Sequence, residues 1–223
     1  MEISTGTMAK KGVLGVLFDW DGVLLDSLGA TMNVYNRIIS KMGMKPLSRE
    51  KFLELQSPNW YGFYSKLGIP KVKWKEMDDN WMRLYKEEEP SLHPDAVKCL
   101  AALKKSGFRL ALVSNGSKDR VEGELGRFAL RPFFDAVCCG ERKEELKPSP
   151  VLLERALREL GLQSRSAVYV GDSPADIEAS KNAGILSVAL ARGPIEAERL
   201  QRQKPDYLFR NLEEVTGFLV DRD

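Results

Sequence analysis

Four short apolar runs, each closing on a cluster of Asp, Gly or Ser, constrain the fold of this chain most strongly. They are Val13–Phe18 (VLGVLF), Arg109–Val113 (RLALV), Ala167–Val170 (AVYV) and Leu186–Leu190 (LSVAL). Runs this short with no polar alternation read as strands buried on both faces, the pattern of a parallel sheet covered by helices. Amphipathic helical patterns lie between them: Pro94–Ser106, with Ala96, Leu100 and Leu103 on one face, then Pro150–Leu160 and Pro174–Ala183. Each begins near a proline and stops at a glycine, Gly107, Gly161 or Gly184, the usual asymmetry of helix ends. Strand and helix in alternation predict an α/β architecture with helices on both faces of a parallel sheet. In such sheets, ligands sit at the carboxyl ends of the strands.

One segment breaks the alternation. From Leu28 to Glu89 the sequence shows helical patterns rich in Met and aromatic residues, including Trp60, Tyr61, Trp74 and Trp81, and no strand-like run. It reads as a small all-α domain, residues 28–89, inserted after the first strand of a core formed by residues 1–27 and 90–223. A further strand-like run, Ala136–Cys139, carries two cysteines that read as buried packing.

Composition narrows the chemistry. Lys and Arg number 34 and Asp and Glu 32, a net charge of +2, which offers no basic stripe for nucleic acid. No apolar run approaches the roughly 18–20 residues of a membrane span, and Met1 to Lys11 lacks the apolar stretch of a secretory signal. A soluble, cytoplasmic protein is the expectation, and three cysteines without a pairing pattern fit a reducing compartment. The single histidine, His93, precedes Pro94 at a helix start, where a structural role is expected. Catalysis would therefore fall to carboxylates.

Four clusters follow the strand-like segments: Asp19-Trp20-Asp21-Gly22, Ser114-Asn115-Gly116, Lys147-Pro148, and Gly171-Asp172-Ser173-Pro174-Ala175-Asp176. A parallel sheet points all of its strand ends one way, so these clusters converge on one crevice. Converged carboxylates repel unless a cation sits among them, and all-oxygen ligation suits a hard ion such as Mg²⁺. Lys147, Ser114 and backbone amides would complete a pocket for phosphate. Carboxylates, cation and phosphate pocket together suggest phosphoryl transfer. In an extended segment, residues two apart share a face, so Asp19 and Asp21 can approach a substrate from one side.

The phrase Phe18-Asp19-Trp20-Asp21-Gly22-Val23-Leu24-Leu25-Asp26-Ser27, with Ser114-Asn115-Gly116, Lys147-Pro148-Ser149-Pro150 and Gly171 to Asp176, resembles the four motifs of the haloacid dehalogenase superfamily, in its phosphoglycolate-phosphatase-like branch. The resemblance runs from Val13 to Phe209 and implies a Rossmann-like core with a mobile helical cap. It implies that Asp19 is a nucleophile forming an aspartyl-phosphate and Asp21 an acid and then a base. The Asp19 and Asp172 carboxylates and the Asp21 backbone carbonyl would hold Mg²⁺, with Asp176 behind them. Ser114, the Asn115 N–H and Lys147 would hold the phosphoryl oxygens of a small phosphorylated substrate. The stretch Gln56-Ser57-Pro58-Asn59-Trp60-Tyr61 corresponds to the cap loop that reaches the active site, which makes Trp60 and Tyr61 candidates for specificity.

Blander readings stand beside these. Asp19 and Asp21 alone are common turn residues, Ser114 and Asp172 occupy positions where helix caps occur, and a lone lysine such as Lys147 is usually solvated. Among whole functions, a sugar phosphomutase of the β-phosphoglucomutase type shares Asp19, Asp21 and Mg²⁺, although no histidine lies between Leu28 and Pro90. A non-catalytic binding protein on the same fold is the remaining alternative.

Overall fold

A computed structural model describes residues 12–56 and 60–220. Its contacts divide the chain into two compact units, one running up to Leu24 and resuming at His93, the other Leu25–Leu92. The first unit opens with β1 (Gly15–Phe18). The second holds β2 (Leu25–Asp26), α1 (Leu28–Lys41), α2 (Arg49–Leu55), α3 (Trp60–Lys66), α4 (Trp74–Tyr85) and β3 (Ser91–Leu92), with β2 and β3 paired antiparallel where the insert leaves and rejoins the core. The chain then alternates through α5 (Ala96–Lys105), β4 (Arg109–Ser114), α6 (Lys118–Arg127), β5 (Ala136–Cys139), α7 (Val151–Leu160), β6 (Ala167–Gly171), α8 (Pro174–Ala183), β7 (Leu186–Leu190), α9 (Pro194–Gln201), β8 (Tyr207–Phe209) and α10 (Leu212–Val220).

The expected α/β architecture is observed. Six parallel strands lie in the order β5-β4-β1-β6-β7-β8. The first strand lies in the middle of the sheet, where Val16, Leu17 and Phe18 have no exposed surface. Leu17, Val113 and Tyr169 share one face of the sheet and pack with Leu152, Leu153 and Ala156 of α7. The expected run from Val13 is longer than the strand, which starts at Gly15; Leu14 is 55% exposed.

Register carries the fold into the site. Phe18 pairs with Leu112 on one side and Val170 on the other. Asp19 therefore emerges level with Val113 and Gly171, and its N–H extends the ladder by one bond to the Val170 carbonyl, 2.9 Å away. The strand ends that carry the motifs are aligned by hydrogen bonding, so their convergence follows from the sheet itself.

The inserted unit has its own core. Tyr35, Phe52, Phe63 and Tyr64 are buried together, with the Tyr35 and Phe63 rings 4.8 Å apart and Trp81 stacked on Tyr85 at 4.4 Å. Aromatic pairs of this kind contribute beyond their buried area, which suits a unit of few residues. The Tyr64 hydroxyl donates to Asp78 at 2.8 Å.

The two leucines flanking the start of β1 give a direct test of this burial. Leu17→Ala removes side-chain volume from the sheet centre and is expected to cost about 2–5 kcal/mol, whereas Leu14→Ala should stay within about 0.5 kcal/mol. Urea unfolding of both variants measures the contrast, and similar losses would contradict the packing described.

Candidate active site

Asp19 leaves the centre of the sheet into a buried setting, with a residue exposure of 7%. Its Oδ1 accepts from the Trp20 N–H at 2.8 Å and pairs with the Lys147 ammonium at 2.8 Å. Its Oδ2 accepts no hydrogen bond from a described residue. Burial pushes the carboxyl up to about 7; Lys147 opposes that shift, and the charges of Asp176 and Asp21 add to it.

Lys147 is the buried cation of the site. Its Nζ lies 2.7 Å from Asp176 Oδ1 and 2.8 Å from the Tyr169 hydroxyl, besides its contact with Asp19. Burial alone would favour loss of the proton, but the two carboxylates overcome it and hold the ammonium above its ordinary range. The backbone before Pro148 is fixed by Asn115, whose Oδ1 accepts from the Lys147 N–H at 2.8 Å and whose Nδ2 donates to the Lys147 carbonyl at 3.3 Å. The side chain of Asn115 thus belongs to the support of Lys147. Ser114 is buried at the end of β4, and its Oγ accepts from the Gly116 N–H at 2.9 Å.

The carboxylates of Asp19, Asp172 and Asp176 each place an oxygen within 4.8 Å of the others. They differ in what already holds them. Asp176 accepts from Lys147 and Tyr169 on Oδ1 and from the Ser173 N–H and hydroxyl on Oδ2. Burial acts most strongly and would raise its pKa, yet Lys147 and the hydrogen bonds from Ser173 and Tyr169 together keep it below the usual carboxylate range. The carboxylate of Asp172 accepts no hydrogen bond from a described residue. Burial first, then the charges of Asp176 and Asp19, raise it well above the usual range. With all three ionised, Lys147 and the half-buried guanidinium of Arg199, whose charge acts on Asp172, offset part of three negative charges, and the oxygens that remain suit a hard divalent cation. Asp19 and Asp172 are the members with oxygens left to offer. Beside them Gly22 has φ +80°, and a Cβ there would come 2.0 Å from Asp172 Oδ2. Glycine is thus required at this position both for the turn and for the approach of Asp172.

Asp21 is placed apart from that cluster. Its two oxygens meet Arg120, with Nη1 to Oδ1 at 3.1 Å and Nη2 to Oδ2 at 2.5 Å. Of the residues considered for specificity, Trp60 and Tyr61 open α3 and are half-buried, and Tyr61 stacks on Trp74 at 5.2 Å. Ser57, Pro58 and Asn59 lie outside the described residues. His93 is buried at the start of the segment leading into α5. The three cysteines are free and buried, and burial raises the Cys138 thiol to about 12, leaving it inert.

The haloacid dehalogenase-like hydrolase family matches residues 16–190. The chain belongs to this family. Among haloacid dehalogenase-like relatives, the pyrophosphatase PpaX of Bacillus velezensis is 29% identical over 211 residues, covering 93% of this chain and 97% of the relative. The phosphoglycolate phosphatase of Neisseria meningitidis is 29% identical over 221 residues, covering 93% and 94%. The solved structure of a haloacid dehalogenase-like family protein from Streptococcus pneumoniae superposes with a TM-score of 0.82 at 21% identity, covering 93% of this chain and 98% of that one, and shows the same fold.

Two members of the site escape a motif reading of this hydrolase. Tyr169 is one residue of an apolar strand, and only its alternation with Val168 and Val170 marks it as facing the same side as Leu17. Arg120 sits on a helix surface pattern, with Glu124 one turn later as the available signal.

Asp19 and Asp172 bind protons more tightly in the folded than in the unfolded chain, so without a cation the site loses stability as pH rises from about 4 toward about 7. A divalent cation between them should reverse that loss. The thermal shift produced by millimolar Mg²⁺ is expected to be larger at pH 8 than at pH 5.5. Asp172→Asn should raise the metal-free midpoint at pH 8 and abolish the shift, and a shift independent of both pH and Asp172 would place the cation elsewhere.

Proposed function

We propose that this protein is a Mg²⁺-dependent phosphatase of small phosphorylated metabolites, working through an aspartyl-phosphate on Asp19. The observation that carries this reading is the unequal grip on the Asp19 carboxylate. Oδ1 is held by Lys147 and a backbone N–H, while Oδ2 accepts no hydrogen bond from a described residue, which suits a fixed nucleophile with one oxygen to attack.

Asp19 Oδ2 attacks phosphorus, and the bond to the leaving oxygen breaks with its electron pair passing to that oxygen. Asp21 gives the leaving oxygen a proton. Water then attacks the phosphoryl group, Asp21 takes the proton, and the bond to Asp19 breaks to release inorganic phosphate. Lys147 neutralises charge on the phosphoryl oxygens while it keeps Asp19 aligned. Ser114 and the Asn115 N–H stand at the end of β4 to receive those oxygens. Asp172 and the backbone carbonyl of Asp21 would hold Mg²⁺ together with the Asp19 carboxylate, through the Asp19 oxygen that does not attack, and the ion when bound supplies charge neutralisation for the anionic substrate. Asp176, with both oxygens committed to the protein, stays behind them and orients Lys147.

The relatives named as pyrophosphatase and phosphoglycolate phosphatase share a phosphoryl end and differ in the group it is transferred from. This reading assigns Asp19 to the shared end and leaves selection of the leaving group to the inserted unit, where Trp60 and Tyr61 remain candidates.

Release of phosphate from p-nitrophenyl phosphate with Mg²⁺ is the first test. Asp19→Asn and chelation should each abolish turnover, and Asp21→Asn should slow it by about 10²–10⁴-fold. Turnover that survives Asp19→Asn would overturn the mechanism. A panel containing pyrophosphate, phosphoglycolate and sugar phosphates, assayed for both phosphate release and isomerisation, then separates phosphatase from mutase.

A further inference from the structure

We infer that Arg120 is a positioning residue for the reaction: it sets where the Asp21 carboxylate sits, and it acts through Asp21 alone. The inference rests on the acid and base role given to Asp21 above.

The geometry is that of a fork. Two N–H groups of one guanidinium meet the two oxygens of Asp21, at 3.1 and 2.5 Å. A planar guanidinium in this arrangement fixes the plane and direction of a carboxylate as well as its distance, which a lysine would not do. Asp21 needs such support. Its side chain is 36% exposed, in the turn just after β1, whereas the Arg120 side chain that grips it is 11% exposed.

Three further features hold the guanidinium itself. Glu124, one turn along α6, takes Arg120 Nη1 on both oxygens, at 3.2 and 3.4 Å. Glu124 is in turn fixed by the indole N–H of Trp20, which donates to its Oε2 at 2.6 Å. Trp20 has no exposed surface. Finally, Gly116 leaves room: a Cβ at that position would lie 2.2 Å from Arg120 Nη2. Residues from both motif loops, Trp20 and Gly116, thus serve the same guanidinium. Trp20 lies between the two aspartates in sequence, so the segment that carries Asp19 and Asp21 also supplies the brace for the arm that orients Asp21.

This arrangement differs from the support of Asp19. Lys147 pairs with Asp19 and Asp176, while Arg120 pairs with Asp21 and Glu124. Asp19 and Asp21 are paired with different cations, and each cation has a second carboxylate behind it. Loss of Arg120 would leave Asp19 with its partner and deprive Asp21 of its direction. A misplacement of about 1 Å in a reacting group can cost about 10²-fold in rate.

The test is a double-mutant cycle on p-nitrophenyl phosphate hydrolysis with Mg²⁺, combining Arg120→Met and Asp21→Asn. Arg120→Met is expected to lower steady-state turnover by about 10- to 100-fold in the otherwise native chain and by less than about 2-fold when Asp21 is already asparagine. The first-turnover release of p-nitrophenolate, whose oxygen leaves without needing a proton, should fall by less than about 3-fold. Should Arg120→Met fail to fold, Arg120→Lys carries the same cycle, because it keeps the charge and loses the fork. Equal losses in both backgrounds, or a first turnover slowed as much as the steady state, would overturn the positioning role while Asp21 kept its own. A native rate in Asp21→Asn would overturn the acid and base reading, and the inference with it.

Discussion

The ammonium of Lys147, buried between the carboxylates of Asp19 and Asp176, is the interaction on which the site depends. A buried charge is tolerated only when its partners replace the water it has lost, and removing one member of such a pair costs about 3–5 kcal/mol. Here the replacement is complete enough to fix three elements together. Asp19 comes from the end of β1, Asp176 from the first turn of α8, and Tyr169 from the middle of β6, where its hydroxyl lies 2.8 Å from the ammonium. The lysine arrives on a loop, and Asn115 at the end of β4 secures that loop by its backbone. The same cation that organises the strand ends also leaves Asp19 with one committed and one uncommitted oxygen.

Much of this was legible in the sequence because a parallel sheet converts position along a strand into position in space. Apolar runs predicted the central strands, and the residues after each run had to emerge on one edge. Asp19, Lys147, Asp172 and Asp176 accordingly lie together. The edges of the fold were less legible. Strand β8 is three residues long, with Tyr207, Leu208 and Phe209 all intermediate in exposure, so no alternation marks it. The short β2 and β3 pair is set by where the insert leaves and returns, a long-range constraint that local patterning does not contain.

Individual roles within the site were harder to read than its membership, for a physical reason. Sequence spacing says which groups can meet; it does not say which hydrogen bonds each has already made. Asp172 and Asp176 look equivalent as two aspartates one helical turn apart. The fold gives Asp176 four donors and gives Asp172 none among the described residues, so they differ in what they have left for a cation. Asn115 shows the same point, since its side chain spends both of its polar ends on the backbone of Lys147.

The turn after β1 separates two charge systems that adjacent residues would otherwise merge. The chain bends at Trp20 just after β1, and the indole reaches Glu124 on α6. Asp21 follows it toward Arg120, leaving Asp19 with Lys147. The separation matters because Asp19 and Asp21 on one cation would shift each other's proton affinity more strongly, whereas here Lys147 joins Asp19 to Asp176 and Arg120 joins Asp21 to Glu124. In the proposed mechanism Asp19 stays fixed on Lys147 while Asp21, held by Arg120, handles the proton. The proposed mechanism asks those two behaviours of Asp19 and Asp21, and the indole of Trp20 together with the bare backbone at Gly116 and Gly22 is the local means of keeping them distinct.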